Sequence, residues 1–341
     1  MPLNLLKLPF LVTNEIFKSM DYDELFLLSL TSTQAKHAIA LTRFNIAKLR
    51  YRCFEDEISV KIVLGNGMYR TIAGVIKESG SYGRGYSKVK VGNGLKVLMR
   101  FHRENSIWVT IRAPDIDNQL LKALQIHINT LFNYRGPNVL ESSLKTWASS
   151  ELQNITGTLL SSKEIDISSL ESHLTRNPNH QCLTAVGNFV GELREYSEVL
   201  KVPSLKLRCI GGLSPLESTL KFFQGQHLHL RDANFTVNQM HQFFAKWISG
   251  DGYNDLKSLW IDFKEPNSFR LEGFEYSMFD EMNPEKWPSS VFHDPKFIGS
   301  FPLSFDLWYN RTVEIKRRID GKRAFVSCGP ERICCFVMDD N

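Results

Sequence analysis

Leu8-Pro9-Phe-Leu-Val12-Thr-Asn-Glu-Ile16-Phe-Lys-Ser-Met20-Asp-Tyr-Asp-Glu24-Leu25-Phe-Leu-Leu28-Ser-Leu30-Thr-Ser-Thr33 is the stretch from which the rest of the chain can be read. Ile16, Phe17 and Met20 recur at helical spacing, which predicts a short helix over Thr13 to Met20. Asp21 followed by Glu24 has the spacing of a reciprocal cap, so a second helix is expected over Tyr22 to Leu30. Leu25, Phe26, Leu27 and Leu28 within it are consecutive, and four apolar residues in a row cannot share one 100° stripe. Either this helix is buried on all sides, or one of its faces belongs to a partner. Thr31 to Thr33 breaks and recaps the chain, and Gln34 to Leu49 reads as a third helix with Lys36, Arg43 and Lys48 toward solvent.

Beyond it the period changes from 3.6 to 2. Ser59 to Leu64 runs into Gly65-Asn66-Gly67, and Lys88 to Val91 runs into Gly92-Asn93-Gly94. Asn-Gly pairs supply the positive φ angles of tight turns, so two hairpins are expected. Leu95 to Phe101 and Ile107 to Arg112 flank a third, around His102. Gly80 to Gly85 lacks dinucleotide-binding spacing and reads as a loop. Pro114 ends the sheet, and Asn118 to Phe132 is an amphipathic helix with Leu120, Leu121, Leu124 and Ile128 inward.

From about Leu159 short alternating strands recur at Ile165-x-Ile167, Leu205-x-Leu207, Leu228-x-Leu230 and Leu259-x-Ile261. Three of them extend toward the leucine-rich pattern LxxLxL, with steps of 23 and 31 residues between the last three. Thr236 to Ile248 is helical in pattern, carrying Val237, Met240, Phe243, Phe244 and Trp247. The reading is a degenerate strand–helix repeat. An aromatic, Pro-rich stretch follows Asp262, and the chain closes on a hairpin, Val313 to Ile319 with Arg323 to Ser327, then Ile333 to Met338.

Composition excludes more than it identifies. The 341 residues suggest about two domains, and 43% hydrophobic with 23% charged residues is the globular range rather than that of a disordered or coiled-coil chain. A net charge of +4 over this length is weak support for nucleic acid or an anionic membrane, which call for a concentrated basic patch. No apolar run reaches the 18 residues of a membrane span. Lys7, Pro9 and Glu15 interrupt the apolar start, which is read as part of the fold rather than as a signal peptide. Six cysteines without a CxxC support neither a disulfide scaffold nor a zinc ribbon, and a reducing compartment is expected. GxSxG, Walker and HExxH motifs do not occur. His227 and His229 share a strand face that some metal sites use, and two solvent-facing residues is the plainer reading. Cys334-Cys335 beside Phe336-Val337-Met338 reads as core. Lys316-Arg-Arg318 with Lys322-Arg323 reads as a solvated strand edge.

The opening stretch resembles an F-box: a Leu-Pro pair, Ile16 seven positions after Pro9, Met20 closing that helix, an acidic Asp21, then Leu25-x-x-Leu28-Ser29. Downstream, Asn234 to Gly250 with its Lys246-Trp247-Ile248-x-Gly250 ending, followed by Leu256-x-x-Leu259, is similar to the nematode-type F-box-associated domain of type 2. The two resemblances, with the patterns above, imply an α+β chain. A three-helix F-box is expected over 3–48, a β-hairpin-rich middle region with its closing helix over 55–140, and a degenerate leucine-rich-repeat-like region with a C-terminal hairpin over 150–341. They further imply a non-catalytic substrate receptor of an SCF-type cullin-RING ubiquitin ligase, without cofactor or metal. Leu8, Pro9, Val12, Ile16, Met20, Leu25 and Leu28 would bind a Skp-type adaptor, and through it cullin. The C-terminal region would hold an unknown target protein, with no nucleic-acid or membrane partner, in the cytoplasm or nucleus. The alternative is an interaction scaffold with no role in ubiquitin transfer.

Alternation places the target face. If the leucines of each LxxLxL strand point to the core, the alternate residues project from the other side. These are Glu164 and Asp166, Lys206 and Arg208, His229 and Arg231, and Trp260 and Asp262. With the strands stacked in chain order, the face is expected to be basic at its centre and acidic at its margins. Lys206, Arg208, His229, Arg231 and Trp260 are then the target-binding candidates.

Overall fold

A computed structural model describes residues 5–54, 57–77, 86–103, 109–113, 118–143, 152–210, 214–264, 312–329 and 331–338. The expected loop over Gly80 to Gly85, the tip near His102 and the aromatic segment after Lys264 lie outside them. The chain divides into two compact units, residues 1–156 and 157–341.

The first unit opens with a 3-10 turn, Leu5–Lys7, and three helices: α1 (Phe10–Ser19), α2 (Tyr22–Thr31) and α3 (Thr33–Ala40). Pro9 sits at the N-cap of α1, where its fixed φ suits a helix start. The buried Thr13 hydroxyl ties α1 back to the Leu5, Leu8 and Pro9 carbonyls at 3.3–3.4 Å. Asp21 and Glu24 form the expected capping box, with the Asp21 N–H donating to Glu24 Oε2 at 3.2 Å.

The third helix is shorter than expected. It stops at Ala40, and Ile46–Phe54 is a strand, β1. Leu49, Tyr51 and Cys53 are buried while Lys48, Arg50 and Arg52 are half-exposed, a period of 2 that pairs with neighbouring strands. β2 (Glu57–Leu64), β3 (Tyr69–Lys77), β4 (Ser87–Val91), β5 (Leu95–Arg103) and β6 (Val109–Ala113) follow, then α4 (Asn118–Leu131) and β7 (Asn138–Ser142). β2–β3, β4–β5 and β5–β6 pair antiparallel, as the three hairpins require. The sheet order is β7-β1-β2-β3-β6-β5-β4, with β1–β7 and β3–β6 parallel.

Helices and strands of this unit share one core. Phe17, Leu25, Phe26 and Ile39 pack with Leu49, Tyr51, Val60 and Ile72, and with Leu120, Leu121, Leu124 and Ile128 of α4. Tyr22, Phe44 and Phe132 add a cluster of rings 5.3–5.8 Å apart. The segments expected as separate regions over 3–48 and 55–140 are thus held by a common set of buried side chains.

The second unit alternates strand and helix: β8 (Ile155–Asp166), α5 (Ile167–Arg176), β9 (Cys182–Val190), α6 (Glu198–Lys201), β10 (Ser204–Cys209), α7 (Ser214–Phe222), β11 (His227–Ala233), α8 (Val237–Ser249) and β12 (Ser258–Phe263). β8 to β12 are parallel in chain order. A C-terminal sheet of β13 (Thr312–Lys316), β14 (Arg323–Cys328) and β15 (Arg332–Val337) joins antiparallel through β15 to β12. Leu183, Leu205, Leu228 and Leu259 share one register row and are fully buried. In the same row Thr158 bonds His173 of α5 at 3.0 Å, which marks this as the helix-covered face. α8 starts on the Thr236–Gln239 capping box, buries Met240, Phe243, Phe244 and Trp247, and ends at Gly250, whose φ of +86° a side chain would resist.

Two expectations here need correction. Ile167 is the first residue of α5 rather than the end of a strand, because Asp166 accepts from the Ser169 N–H and caps that helix. β9 stands between the strand carrying Glu164 and β10, so Glu164 and Asp166 do not flank Lys206 and Arg208.

Candidate functional site

The first candidate surface lies on the N-terminal helices. Pro9 and Val12 are exposed; Leu8, Ile16, Met20 and Leu28 are half-buried, the last two packed against the core. Leu25 is 0% exposed and belongs to the core, so it cannot meet a partner. The four-residue apolar run divides accordingly: Leu25 and Phe26 are wholly buried, while Leu27 and Leu28 are partly so. Sequence reasoning passed over Phe10 and Leu11, 55% and 73% exposed, which with Pro9 and Val12 form a continuous apolar start to α1. Their signal was the same run of apolar residues just after Pro9.

The second candidate is the face of the second unit opposite its helices. Lys206, His229, Trp260 and Cys334 form one register row across β10, β11, β12 and β15. Arg208 pairs with Arg231, and Asp262 with Arg332. Asp262 organises the cluster. It accepts from His229 Nε2 at 2.9 Å and from Trp260 Nε1 at 2.8 Å, with Arg231 at 3.5 Å and Arg332 at 3.7 Å. Burial opposes its charge, but the bonds from His229 and Trp260, together with the Arg332 charge, hold the carboxyl below its usual range. Burial likewise pushes the His229 imidazole down, so it donates to Asp262 as a neutral ring. Lys206 is lowered by burial and then by Arg231.

This face differs from the expected one. Acidic groups sit inside it, Asp232 on Arg208 and Asp262 on Arg231, because strand register brings them beside the arginines. His229 and Trp260 are 4% and 6% exposed, which makes them supports rather than contact residues. Arg208, Arg231 and Arg332 keep side chains 42%, 42% and 41% exposed and are the groups that can meet a ligand.

Other chemistry-bearing groups are structural. All six cysteines are buried and free, and burial pushes the thiols of Cys53 and Cys328 up to about 12 and raises those of Cys334 and Cys335. His227 Nδ1 lies 2.9 Å from Ser258 Oγ. At the basic hairpin Arg317 is 2% exposed, paired with Asp320, donating to the Asn254 carbonyl and lying over Trp247; it is core, not solvated edge. A groove of about 430 Å³ runs between α7 and α8, lined by Leu220, Lys221, Phe243, Lys246 and Tyr253. The Tyr253 hydroxyl is used in donating to the Leu220 carbonyl at 2.7 Å. Among the described residues no group of three or more His, Cys, Asp or Glu is placed to hold a metal ion.

Residues 5–46 match the family model of the F-box domain, which spans the 3-10 turn, α1 to α3 and the start of β1. No curated protein and no solved structure matches the chain.

Proposed function

We propose that the chain is the substrate-recognition subunit of an SCF-type cullin-RING ubiquitin ligase. The observation that carries this is the F-box domain over 5–46, whose first helix presents Pro9, Phe10, Leu11 and Val12 to solvent. F-box domains bind Skp-type adaptors, and the adaptor in turn holds cullin. In this reading the ligase chemistry belongs to other subunits, which accords with six cysteines that are all buried. The second unit, read as the type 2 F-box-associated, leucine-rich-repeat-like region, holds the target through Arg208 and Arg231, with Lys206, His229 and Trp260 behind them. Interface hot spots favour Arg in desolvated settings.

The experiment is affinity purification of the tagged full chain from cells with the proteasome blocked. Adaptor and cullin should both co-purify. Adaptor without cullin would replace this reading with the interaction scaffold. Arg208→Glu with Arg231→Glu should strip the target proteins while leaving adaptor and cullin. Half-exposed ion pairs such as Arg208–Asp232 contribute about 0–1 kcal/mol, so melting should barely move. If the double variant retains every interactor, the target surface lies elsewhere.

A further inference from the structure

The net charge of +4 conceals a division. Residues 1–156 hold 20 Lys and Arg against 13 Asp and Glu, a net of +7, while 157–341 hold 21 against 24, a net of −3. The excess in the first unit is concentrated on one face of its sheet. Leu49, Tyr51, Val60, Ile62, Val75, Ile111 and Met99 fill the core on the other face, so the alternate residues project away from it. On β1 and β2 these include Lys48, Arg50, Arg52 and Lys61, with Arg50 opposite Lys61. Arg112 of β6 lies opposite Arg100 of β5, and Lys96 opposite Lys90, with Lys88 two residues before it. Against these nine cations two carboxylates are found on that face among the described residues: Glu57 of β2, and Glu141 of the neighbouring β7, beside Arg50 and Arg52. Lys88, Lys90, Lys96 and Arg100 are exposed, and no ion pair is found for them among the described residues.

We propose that this face binds single-stranded nucleic acid. The cations span six adjacent strands, about 24 Å at the usual ~4.8 Å spacing, which suits a run of phosphates rather than a single one. Aromatic rings are interleaved with them. The Arg50 guanidinium lies 5.5 Å from the centroid of Tyr69, itself 53% exposed, and that of Arg52 lies 5.1 Å from the Phe54 ring. Arginine guanidinium groups and aromatic rings are surfaces on which unpaired bases stack, and they are what an acidic polypeptide does not need. The patch that the overall charge did not announce is therefore present, confined to one sheet.

The test is fluorescence anisotropy of the full chain with a labelled 20-nucleotide oligouridylate, competed by 20-residue polyglutamate. Wild type should bind, weakening steeply with salt, since counterions released from a single strand give a slope of about −0.7 per phosphate contact. Lys88→Glu, Lys90→Glu, Lys96→Glu and Arg100→Glu together should weaken binding more than tenfold and flatten the salt slope by about 3. If that variant does not fold, Lys88→Gln with Lys96→Gln should still weaken binding severalfold and flatten the slope by about 1.4. Wild-type affinity in a folded variant overturns the proposal. Polyglutamate competing as well as unlabelled oligouridylate also overturns it, and assigns the face to an acidic protein instead.

Discussion

His127 and Gly92 join the N-terminal helices to the sheet through a chain of hydrogen bonds. The Gly92 N–H donates to His127 Nδ1 at 3.3 Å, so Nε2 carries the proton and donates to Ser29 Oγ at 2.8 Å. The Ser29 hydroxyl then donates to the Phe26 carbonyl at 2.6 Å. Gly92 has φ +59°, and an added Cβ would lie 2.5 Å from the Ala123 carbonyl oxygen, so Gly92→Ala should cost on the order of 2 kcal/mol or more. Burial, then Lys36, pushes His127 down to about 3, against about 6.5 for a free imidazole. Between those values an unfolded chain binds a proton that the folded one refuses. Stability is therefore full above pH 6.5 and falls as pH drops toward 3. From pH 7 to 5 the loss is about 2 kcal/mol for this one group. Denaturant midpoints at the two pH values should show His127→Gln losing correspondingly less than wild type. Equal losses would contradict the neutral, buried assignment.

At the scale of elements, legibility followed local chemistry. The Asp21 cap, the Asn-Gly turns and the α4 stripe all appear where the residues place them, because each is settled within a few positions. The first residues of β1, Ile46 to Leu49, were expected as the end of a helix, because only the strand's partners, β2 on one side and β7 on the other, turn Lys48 to Cys53 into a strand. β9 was missed for a similar reason: Leu183, Ala185 and Phe189 are interrupted by Gly187, whose Cβ would strike the Ser162 carbonyl oxygen at 2.1 Å. Close approach of a neighbouring strand requires that glycine, and a close approach cannot be seen in one segment. Of the adaptor candidates, Leu25 fell inside the core because a consecutive apolar run does not say which of its members faces in. The target candidates and Asp262 shared a face as alternation required, but Asp232 beside Arg208 was not legible, because it follows a register shift in β11.

The whole molecule carries three candidate surfaces for macromolecules and six cysteines, none exposed. Incubated with charged ubiquitin-conjugating enzyme and no cullin or RING subunit, the purified chain should not accelerate ubiquitin discharge, since all six thiols are buried away from a partner and burial pushes those of Cys53 and Cys328 up to about 12. A thioester on the chain would overturn the non-catalytic assignment. The central claim, that the N-terminal helices dock a Skp-type adaptor, is tested most directly by the affinity of the full chain for purified adaptor, wild type against Phe10→Ala with Leu11→Ala. Both side chains are more than half exposed, so their removal spares the core. Burying each at an interface contributes on the order of 1.5–3 kcal/mol, so the account predicts at least a tenfold loss of affinity with melting unchanged. Adaptor binding at wild-type affinity in the double variant, or none by the wild-type chain, would contradict it.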